Sequence, residues 1–393
     1  MRRTADVVVV GGGCMGASTA YHLTRLGVRG VVLVEREPQL GAGSTGRNAG
    51  GVRHQFSHEA NVRLSIESIR ALERFGDEVG AEIDLRQHGY LFLLSSDQSV
   101  EVFRRAVELQ RRLGVPVDWL TPADAARLAP GLDTGGTSAA TFCARDGLAD
   151  PNGVTMGYAR AARAAGAEIL RGTAITGIRV ERGRVAGVDT TAGGIHARAV
   201  VDAAGPWARE IGRMAGLEVP VDPLRRHIFI AVPASGGTWD DPGHRGRVPL
   251  NRIMVIDFDT TFYFHREGGG VLFGMGDPSE RAGYDVTVRW DFLPRVVETG
   301  VARLPALADA AVSRAWAGLY EMTPDAMPLI GPALALPGFY LVTGFSGHGF
   351  QHSPAAGRIL ADVITGRDPG IDLAPFSPDR FDGRRGASEI HVV

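Results

Sequence analysis

A glycine-rich turn between a strand and a helix constrains this fold more than any other feature of the sequence. Residues 6–10 form a β-branched run that predicts a buried strand, and the turn GGGCMG follows at 11–16 with the spacing GxGxxG. Residues 17–26 then suit a helix, and residues 31–34 suit a second strand. Strand, turn, helix and strand in this order predict a βαβ unit with parallel strands.

The glycines of the turn and an acidic residue after it predict a dinucleotide site. Gly11, Gly13 and Gly16 allow a tight turn, a close approach of a pyrophosphate and close helix packing. Glu35 ends the second strand, where a carboxylate accepts hydrogen bonds from the adenosine ribose hydroxyls and opposes a 2′-phosphate. We interpret Cys14 as a turn residue rather than a redox group.

Three later segments favour FAD over NAD. Residues 41–51 offer hydroxyls for phosphate and bare backbone for a flat ring, which a plain NAD domain does not need. Residues 200–207 and 344–350 supply further backbone donors. The last of these precedes a predicted helix, whose N-terminus suits the electron-rich end of an isoalloxazine ring.

The basic residues of the chain exclude several classes of enzyme. All 42 are arginine, because the sequence contains no lysine. Pyridoxal phosphate enzymes, P-loop kinases and Schiff-base lyases need a lysine amine and are therefore excluded. The 42 basic residues nearly balance 44 acidic ones, without long runs of either sign. This balance argues against nucleic acid and membrane surfaces as partners, favours a small molecule and leaves an oligomer possible.

The cysteines and the start of the chain predict a cytoplasmic protein. Cys14 and Cys143 have neither disulfide nor metal-ligand spacing, so we expect no metal site and a reducing compartment. The apolar stretch near the N-terminus is too short and too broken by glycine for a signal peptide or a membrane segment.

Five motifs together resemble the flavoenzymes of the D-amino-acid oxidase, glycine oxidase and sarcosine oxidase type. They are GGGCMG at 11–16, STGRNAGGVRH at 44–54, VVDAAGPWA at 200–208, YEMTPDAMPLIGP at 320–332 and GFSGHGFQHSPAAG at 344–357. The resemblance covers nearly the whole chain and is strongest to the branch of the sarcosine oxidase β-subunit and proline dehydrogenase.

The resemblance implies an α/β fold in which a Rossmann-type FAD-binding domain is interrupted by a mostly antiparallel α+β substrate-binding domain. We expect a discontinuous FAD-binding domain of residues 1–84, 146–220 and 318–393. The substrate-binding domain then comprises residues 85–145 and 221–317.

The resemblance also implies which residues bind FAD. The expected cofactor-binding residues are Gly11, Gly13, Cys14, Met15, Gly16, Glu35, Arg36, Ser44, Thr45, Arg47, Asn48, Ala49, Gly50, Gly51, Ile175, Ala204, Gly205, Trp207, Gly344, Gly347, His348, Gly349, Phe350 and Gln351. Some family members attach the flavin to a cysteine, but Gly318 stands at that position here. We therefore expect noncovalent FAD.

Four residues are implied at the reacting end of the site. Arg53 matches an arginine that binds the substrate carboxylate, and Tyr263 matches an active-site tyrosine. Gln351 stands where relatives have a carboxylate-binding lysine, and His348 is expected beside the flavin. The residues alone leave alternatives open: an ion pair for Arg53, core packing for Tyr263 and a helix cap for His348.

A short basic cluster at residues 225–227 begins a predicted strand and has two alternative roles. Arg225, Arg226 and His227 follow Pro223 and Leu224 and open an apolar strand. Such a cluster either has a structural role or lines the cleft, and the sequence does not decide between the two.

The family implies oxidation of the C–N bond of a small amino acid, usually a secondary or N-methyl amine, to an imine by hydride transfer to flavin N5. Such a transfer needs alignment of substrate and ring but no protein base. The electron acceptor is oxygen or an electron-transfer partner. Two alternatives stay open: a 2-hydroxy-acid dehydrogenase on the same fold, and a flavin-binding assembly subunit without turnover.

Overall fold

Two large β-sheets organise the computed structural model, which describes residues 4–244, 246–249, 251–381 and 388–392. The α-helices of these residues are α1 (Cys14–Arg25), α2 (Glu59–Glu73), α3 (Phe75–Val79), α4 (Asp97–Arg112), α5 (Pro122–Leu128), α6 (Pro151–Ala164), α7 (Ala208–Met214), α8 (Leu293–Arg303) and α9 (Gly349–Ile364). The strands are β1 (Thr4–Val10), β2 (Val31–Val34), β3 (Gly51–Val52), β4 (Tyr90–Leu94), β5 (Asp118–Leu120), β6 (Ala139–Cys143), β7 (Gly147–Leu148), β8 (Glu168–Leu170), β9 (Ile175–Glu181), β10 (Arg184–Thr190), β11 (Gly193–Asp202), β12 (Asp222–Pro233), β13 (Met254–Asp257), β14 (Phe262–Glu267), β15 (Gly270–Met275), β16 (Ala310–Met322), β17 (Leu329–Pro332) and β18 (Phe339–Thr343).

The first sheet has the parallel centre that the βαβ prediction requires. Its strand order is β17-β18-β11-β1-β2-β8, and β10 and β9 extend it beside β11. Val10 at the end of β1 lies opposite Val34 of β2 and Asp202 of β11, and all three strands are parallel. The turns that follow these strands therefore converge at one edge of the sheet, where open α/β sheets bind ligands.

Both faces of this sheet are buried, which explains the unbroken β-branched run of β1. Val7 and Val9 pack among residues of α1, α6 and α9. Val8 and Val10 pack on the opposite face, against the β9–β10 hairpin and α7. A strand that is covered on both sides does not alternate between apolar and polar residues.

The second sheet is mostly antiparallel and has the order β16-β12-β15-β14-β13-β4-β6-β5. Its longest pairing joins β12 to β16, from Asp222 opposite Met322 to Pro233 opposite Ala310. β13 and β4 are the parallel pair. The fold class is thus confirmed: a Rossmann-type sheet accompanied by a mostly antiparallel α+β unit.

Several element boundaries differ from the sequence predictions. The helix expected from residue 17 begins at Cys14, and the helix expected from residue 355 begins at Gly349. In both cases glycines, which disfavour helix interiors, occupy the first turns and mask the helical pattern. The helix expected over residues 61–79 is divided into α2 and α3 at Arg74.

The predicted domain boundary at residue 318 lies inside β16, because this strand continues from Ala310 to Met322. The discontinuous division into domains stays a prediction. No helix in the described part of the chain is both long enough and apolar enough to cross a bilayer.

Residues 388–392 return to the body of the protein as a short terminal segment. Glu389 and His391 are buried, and the His391 ring stacks on Phe103 with a centroid separation of 4.0 Å. The Glu389 carboxylate accepts hydrogen bonds from the amide of Ser57 at 3.0 Å and from Asn61 Nδ2 at 3.0 Å. The segment therefore packs beside the loop that carries Arg53.

Candidate active site

A cavity of about 690 Å³ lies where the converging turns of the first sheet face the second sheet. Its volume is in the range of ordinary small-molecule sites. The predicted site residues that line it are Gly11, Gly13, Cys14, Met15, Glu35, Arg36, Ser44, Thr45, Arg47, Asn48, Ala49, Gly51, Arg53, Ile175, Ala204, Gly205, Trp207, Tyr263, Gly347, His348, Gly349, Phe350 and Gln351.

Three predicted cofactor residues lie behind the cavity wall rather than in it. A Cβ on Gly16 would lie 1.9 Å from the Gly11 carbonyl oxygen, and one on Gly50 would lie 2.7 Å from the Ala149 carbonyl oxygen. A Cβ on Gly344 would lie 2.5 Å from Thr323 Cγ2. These glycines let neighbouring backbone or side-chain atoms pack closely, and so they shape the cavity without lining it.

The N-terminus of α1 points into one end of the cavity. Its N-cap residue, Gly13, has no side chain to form a capping hydrogen bond, and no acidic residue occupies the first turn. The amide of Cys14 donates to Thr45 Oγ1 at 3.2 Å. Free amide donors at a helix N-terminus suit a pyrophosphate. Burial raises the pKa of the Cys14 thiol to about 11, so this cysteine is not a thiolate at neutral pH.

The Glu35 carboxylate is held at the end of β2 by two backbone amides. Gly12 N donates to Oε2 at 2.7 Å, and Glu37 N donates to Oε1 at 2.8 Å. Thr173 N donates to the Glu35 carbonyl at 2.9 Å, which brings the segment leading to Ile175 to the same end of the cavity. Carboxylate oxygens have further lone pairs for ribose hydroxyls.

An aromatic and cationic stack closes the same end. The Arg36 guanidinium carbon lies 3.8 Å from the centroid of the Trp207 ring, and Tyr284 stacks on Trp207 with a centroid separation of 5.7 Å. Tyr284 follows β15 of the second sheet and lines the cavity. Sequence analysis identified Arg36 and Trp207 but missed Tyr284, whose loop shows no local motif.

The N-terminus of α9 opens into the middle of the cavity. His348 is the N-cap residue of this helix, as one alternative expected, but its side chain forms no capping hydrogen bond. Burial, reinforced by the charge of Arg53, lowers the pKa of His348 to about 3 and keeps the ring neutral. Backbone amides at this terminus would favour negative charge that develops on a bound ring.

Arg53 lies in the cavity wall, and its guanidinium donates to two backbone carbonyls. Nη1 donates to the Gln55 carbonyl and Nη2 donates to the His391 carbonyl. The guanidinium carbon lies 3.8 Å from the centroid of the Phe56 ring. The backbone amide of Arg53 donates to Gln351 Oε1 at 2.6 Å, so two predicted site residues are in direct contact.

Three tyrosines line the other end of the cavity, each against a glycine. A Cβ on Gly274 would lie 2.5 Å from the Tyr263 hydroxyl oxygen, and one on Gly51 would lie 1.8 Å from the Tyr90 hydroxyl oxygen. A third, on Gly347, would lie 2.3 Å from the ring of Tyr320.

The three phenols stay protonated at neutral pH. Burial is the largest influence on each and raises the pKa of Tyr90, Tyr263 and Tyr320 above the ordinary tyrosine value. A protonated phenol is a hydrogen-bond donor. Sequence analysis identified Tyr263 and missed the other two, although Tyr320 opens the YEMTPD motif.

Glu321, beside Tyr320 on β16, was also missed and lines the cavity. Its carboxyl group accepts a hydrogen bond from Thr343 Oγ1 at 3.0 Å. Burial is the main cause of its raised pKa. Glu321 thus connects β16 to the turn that leads into α9.

The basic cluster of β12 is divided between two faces of the strand. Arg225 forms ion pairs with Glu280, at 3.1 Å, and with Asp285, away from the cavity lining. Arg226 lines the cavity, and its guanidinium carbon lies 5.1 Å from the centroid of the Tyr320 ring. The His227 Nε2 atom accepts a hydrogen bond from the amide of Arg289 at 3.1 Å. Residue alternation along a strand was the signal that could have separated the two arginines.

A group of possible metal ligands lies near the site, at His54, Cys143 and Asp146, whose ligand atoms lie within 4.8 Å of one another. Asp146 Oδ1 lies 2.7 Å from His54 Nδ1, and Oδ2 accepts from Gln55 Nε2 at 3.1 Å. These hydrogen bonds account for both carboxylate oxygens and connect the Arg53 loop to the turn before β7.

Comparisons with known proteins agree with this geometry. The profile of the family described as FAD dependent oxidoreductase (DAO) matches residues 6–363. Mouse mitochondrial sarcosine dehydrogenase is 31% identical over 96% of this chain and 41% of its own length. The sarcosine oxidase subunit beta of Rhizobium meliloti is 30% identical over 96% of this chain and 88% of its own length.

A solved structure is similar throughout. The crystal structure of L-proline dehydrogenase from P. horikoshii superposes with a TM-score of 0.88 at 34% identity, and covers 97% of this chain and 99% of that one. The chain spans about two fifths of the length of the mitochondrial dehydrogenases that it matches. The resemblance derived from the five sequence motifs is confirmed.

Proposed function

The chain belongs to the DAO family of FAD-dependent oxidoreductases, and from its cavity we propose that it oxidises the C–N bond of a small secondary or N-methyl amino acid to an imine. The main observation behind the proposal is that one cavity contains both a dinucleotide-binding end and an end suited to a small anionic substrate. The dinucleotide cradle of Gly11, Gly13 and Glu35 lies at one end, and cationic and phenolic side chains, including Arg226 and Tyr263, lie at the other.

The residues present fit FAD. The N-terminus of α1 would hold the pyrophosphate, and the Glu35 carboxylate would hold the adenosine ribose. Gly51 and Gly347 line the cavity between the two sheets, and without side chains they let Tyr90 and Tyr320 pack into its wall. The N-terminus of α9, which has no side-chain capping hydrogen bond, would face the ring.

The FAD is proposed to be bound noncovalently. Gly318 lines the cavity at the position where some relatives carry a cysteine, and a Cβ there would lie 3.0 Å from Arg47 Cβ. Cys14 lies at the opposite, pyrophosphate end and stays a protonated thiol. His348 lines the cavity and is neutral.

The chain's own contribution to the reaction is binding and orientation. A cavity arginine would pair with the substrate carboxylate, and the protonated phenols would donate hydrogen bonds to it. Met254, Ile256 and Phe350 add apolar surface that excludes water. When bound, FAD supplies the oxidising power by accepting a hydride from the carbon next to nitrogen. The substrate amine must be neutral for this, and no protein base is required.

An anaerobic bleaching screen tests the proposal. The purified holoprotein would be mixed with sarcosine, dimethylglycine, glycine, L-proline and D-proline, and with lactate as the hydroxy acid. We expect loss of the oxidised flavin absorbance with at least one secondary or N-methyl amino acid and none with lactate.

The other outcomes identify the alternatives. Bleaching by lactate alone would favour a 2-hydroxy-acid dehydrogenase. Bleaching by no compound of a wider set of amino and hydroxy acids would favour a flavin-binding assembly subunit. Reoxidation of the bleached protein by oxygen, a quinone or an electron-transfer protein would then identify the class of acceptor.

A further inference from the structure

We infer that Arg226 is the residue that binds the substrate carboxylate, and that Arg53 instead holds the terminal segment 388–392 against the cavity. The inference rests on the proposed function, because it assigns a residue to the carboxylate of the proposed amino-acid substrate. It differs from the expectation drawn from family resemblance, which places Arg53 in that role.

The two neighbouring arginines of β12 show which one is available. Arg225 has two carboxylate partners, Glu280 and Asp285. Arg226 has no ion pair with any carboxylate of the described residues, and its Nε is a buried donor without a hydrogen-bond partner among them. Its Nη1 donates to the Arg225 carbonyl at 3.2 Å. Arg226 is therefore a cavity-lining cation with a buried N–H that has no partner and with no carboxylate to balance its charge among the described residues.

A partly buried cation without a counter-charge lowers the stability of the folded protein, so a functional role would explain its presence. An anionic ligand in the cavity supplies one, because a carboxylate matches the planar fork of a guanidinium and neutralises its charge. Arg226 also lies over the Tyr320 ring, at 5.1 Å, and its charge acts on Tyr263. A carboxylate at Arg226 would thus have two protonated phenols close by.

Arg53 lacks this freedom. Both of its terminal nitrogens donate to backbone carbonyls, of Gln55 and His391, and its guanidinium lies between the rings of Phe56 and Phe92. These bonds use one N–H of each terminal nitrogen, so a substrate carboxylate would have to share the guanidinium with two backbone carbonyls. The arrangement instead pairs Arg53 with the protein's own backbone and fixes the terminal segment.

The test measures carboxylate binding without turnover. Methoxyacetate has the shape of sarcosine but no amine to oxidise, and methoxyacetamide is its uncharged counterpart. Each would be titrated into the holoprotein while the visible spectrum of the bound flavin is followed. We expect the wild-type protein to bind the anion more tightly than the amide.

Arg226→Gln is expected to weaken methoxyacetate binding by about 30-fold or more, since it removes a charged two-point contact. Binding of the amide should change by less than about threefold. The matched control is Arg225→Gln, which removes the same charge one residue away, outside the cavity, and should leave both affinities unchanged. Arg226→Lys keeps the charge but lacks the planar two-point contact. Its affinity for methoxyacetate should therefore lie between those of the wild-type protein and Arg226→Gln.

The Arg53→Lys variant tests whether Arg53, as the family resemblance implies, or Arg226 binds the carboxylate. If Arg53→Lys weakens methoxyacetate binding more than Arg226→Gln does, the inference is wrong. It is also wrong if the wild-type protein does not prefer the anion. Flavin content and circular dichroism establish whether each variant is folded. If Arg226→Gln does not fold, Arg226→Lys takes its place in the comparison.

This outcome is independent of the bleaching screen. If no amino acid bleaches the flavin but methoxyacetate binds through Arg226, the proposed function fails and the assignment of Arg226 stands. If an amino acid does bleach the flavin, the apparent Kd of that reduction should rise in Arg226→Gln by a factor similar to the rise for methoxyacetate.

Discussion

The Arg53 guanidinium donates a hydrogen bond to the backbone carbonyl of His391, although the two residues are 338 positions apart in the chain. The contact is buried, and it joins the loop after β3 to the terminal segment 388–392. One wall of the cavity is therefore held by a segment that belongs to neither sheet. Val392, next to His391, lines the cavity.

Glu389→Gln is expected to lower the free energy of unfolding by about 1–3 kcal/mol at pH 7, because the carboxylate accepts several hydrogen bonds. The contact with His391 and these hydrogen bonds lower the Glu389 pKa to about 2 against the effect of burial. A lowered pKa stabilises the folded state above the ordinary glutamate value, and this stabilisation disappears as pH falls toward 2.

Urea unfolding of wild type and Glu389→Gln should therefore differ most near neutral pH and converge as pH falls. Glu218→Gln is the matched control, because that side chain is 76% exposed. A stability difference that does not depend on pH would contradict the assignment of the effect to the charge of Glu389.

Glu35→Gln is expected to weaken FAD binding by about 10- to 100-fold, the scale of a lost hydrogen bond to a charged group. The physical reason is that the carboxylate, held by Gly12 and Glu37, is proposed to accept the ribose hydroxyls. Fluorescence titration of the apoprotein measures the affinity. FMN lacks the adenosine and should bind both proteins equally, so an equal loss for FMN would remove Glu35 from the ribose site.

Acid precipitation is expected to release the flavin into the supernatant, because Gly318 offers no atom for a covalent bond. The measurement is flavin absorbance in the supernatant after trichloroacetic acid treatment, with in-gel fluorescence of the denatured protein. Fluorescence that stays with the protein band, and a flavin-bearing peptide in its digest, would show that the noncovalent prediction is wrong.

Gly347→Ala is expected to disrupt the site more than an alanine at another left-handed glycine. Gly347 has φ +98°, and a Cβ would lie 2.3 Å from the Tyr320 ring. Gly366 has φ +73° and no atom within 4 Å of its Cβ position, so Gly366→Ala bears the backbone strain alone, about 1–3 kcal/mol. We expect Gly347→Ala to lose flavin at purification and Gly366→Ala to retain it. Similar flavin content in both would argue against close packing of Tyr320 on this turn.

The rate of flavin reduction is expected to rise with pH according to the pKa of the substrate amine. His348 has a pKa near 3, and burial raises the pKa of Cys14 to about 11, so neither changes charge near neutral pH. Two substrates whose amines differ in pKa should therefore give pH profiles of kcat/KM displaced by that difference. A midpoint common to both would indicate a protein group, and Glu321→Gln would test the cavity carboxyl whose pKa burial raises.

The nucleotide end of the site could be predicted from sequence because its geometry is local. The turn at 11–16 and Glu35 lie within one βαβ unit, and their spacing alone determines where the turn, the helix N-terminus and the carboxylate lie. The family motifs extended this to residues 44–51 and 344–351. Of those residues, Gly50 and Gly344 lie behind the cavity wall. A motif identifies positions that require glycine, but it does not show whether the glycine is needed for contact with the ligand or with another part of the protein.

The substrate end could not be predicted in the same way, because it is assembled by long-range strand pairing. Arg226 lies opposite Gly318 across the β12–β16 pair, and Tyr90 comes from a third strand, β4. No local pattern brings these residues together. Tyr284 and the terminal segment have weaker signals still, since loops and chain ends show no periodicity.

The strand order of the first sheet also has a consequence for how the protein is made. Because β1 pairs with both β2 and β11, and β11 pairs with β18, the nucleotide edge needs strands that end at Val10, Asp202 and Thr343. During synthesis, β1 can pair with β2 early, but β11 and β18 are translated much later. Pairing between strands that are so far apart in sequence slows folding. Flavin binding is therefore expected only after β18 has been translated, and a truncated product that lacks β18 should contain no flavin.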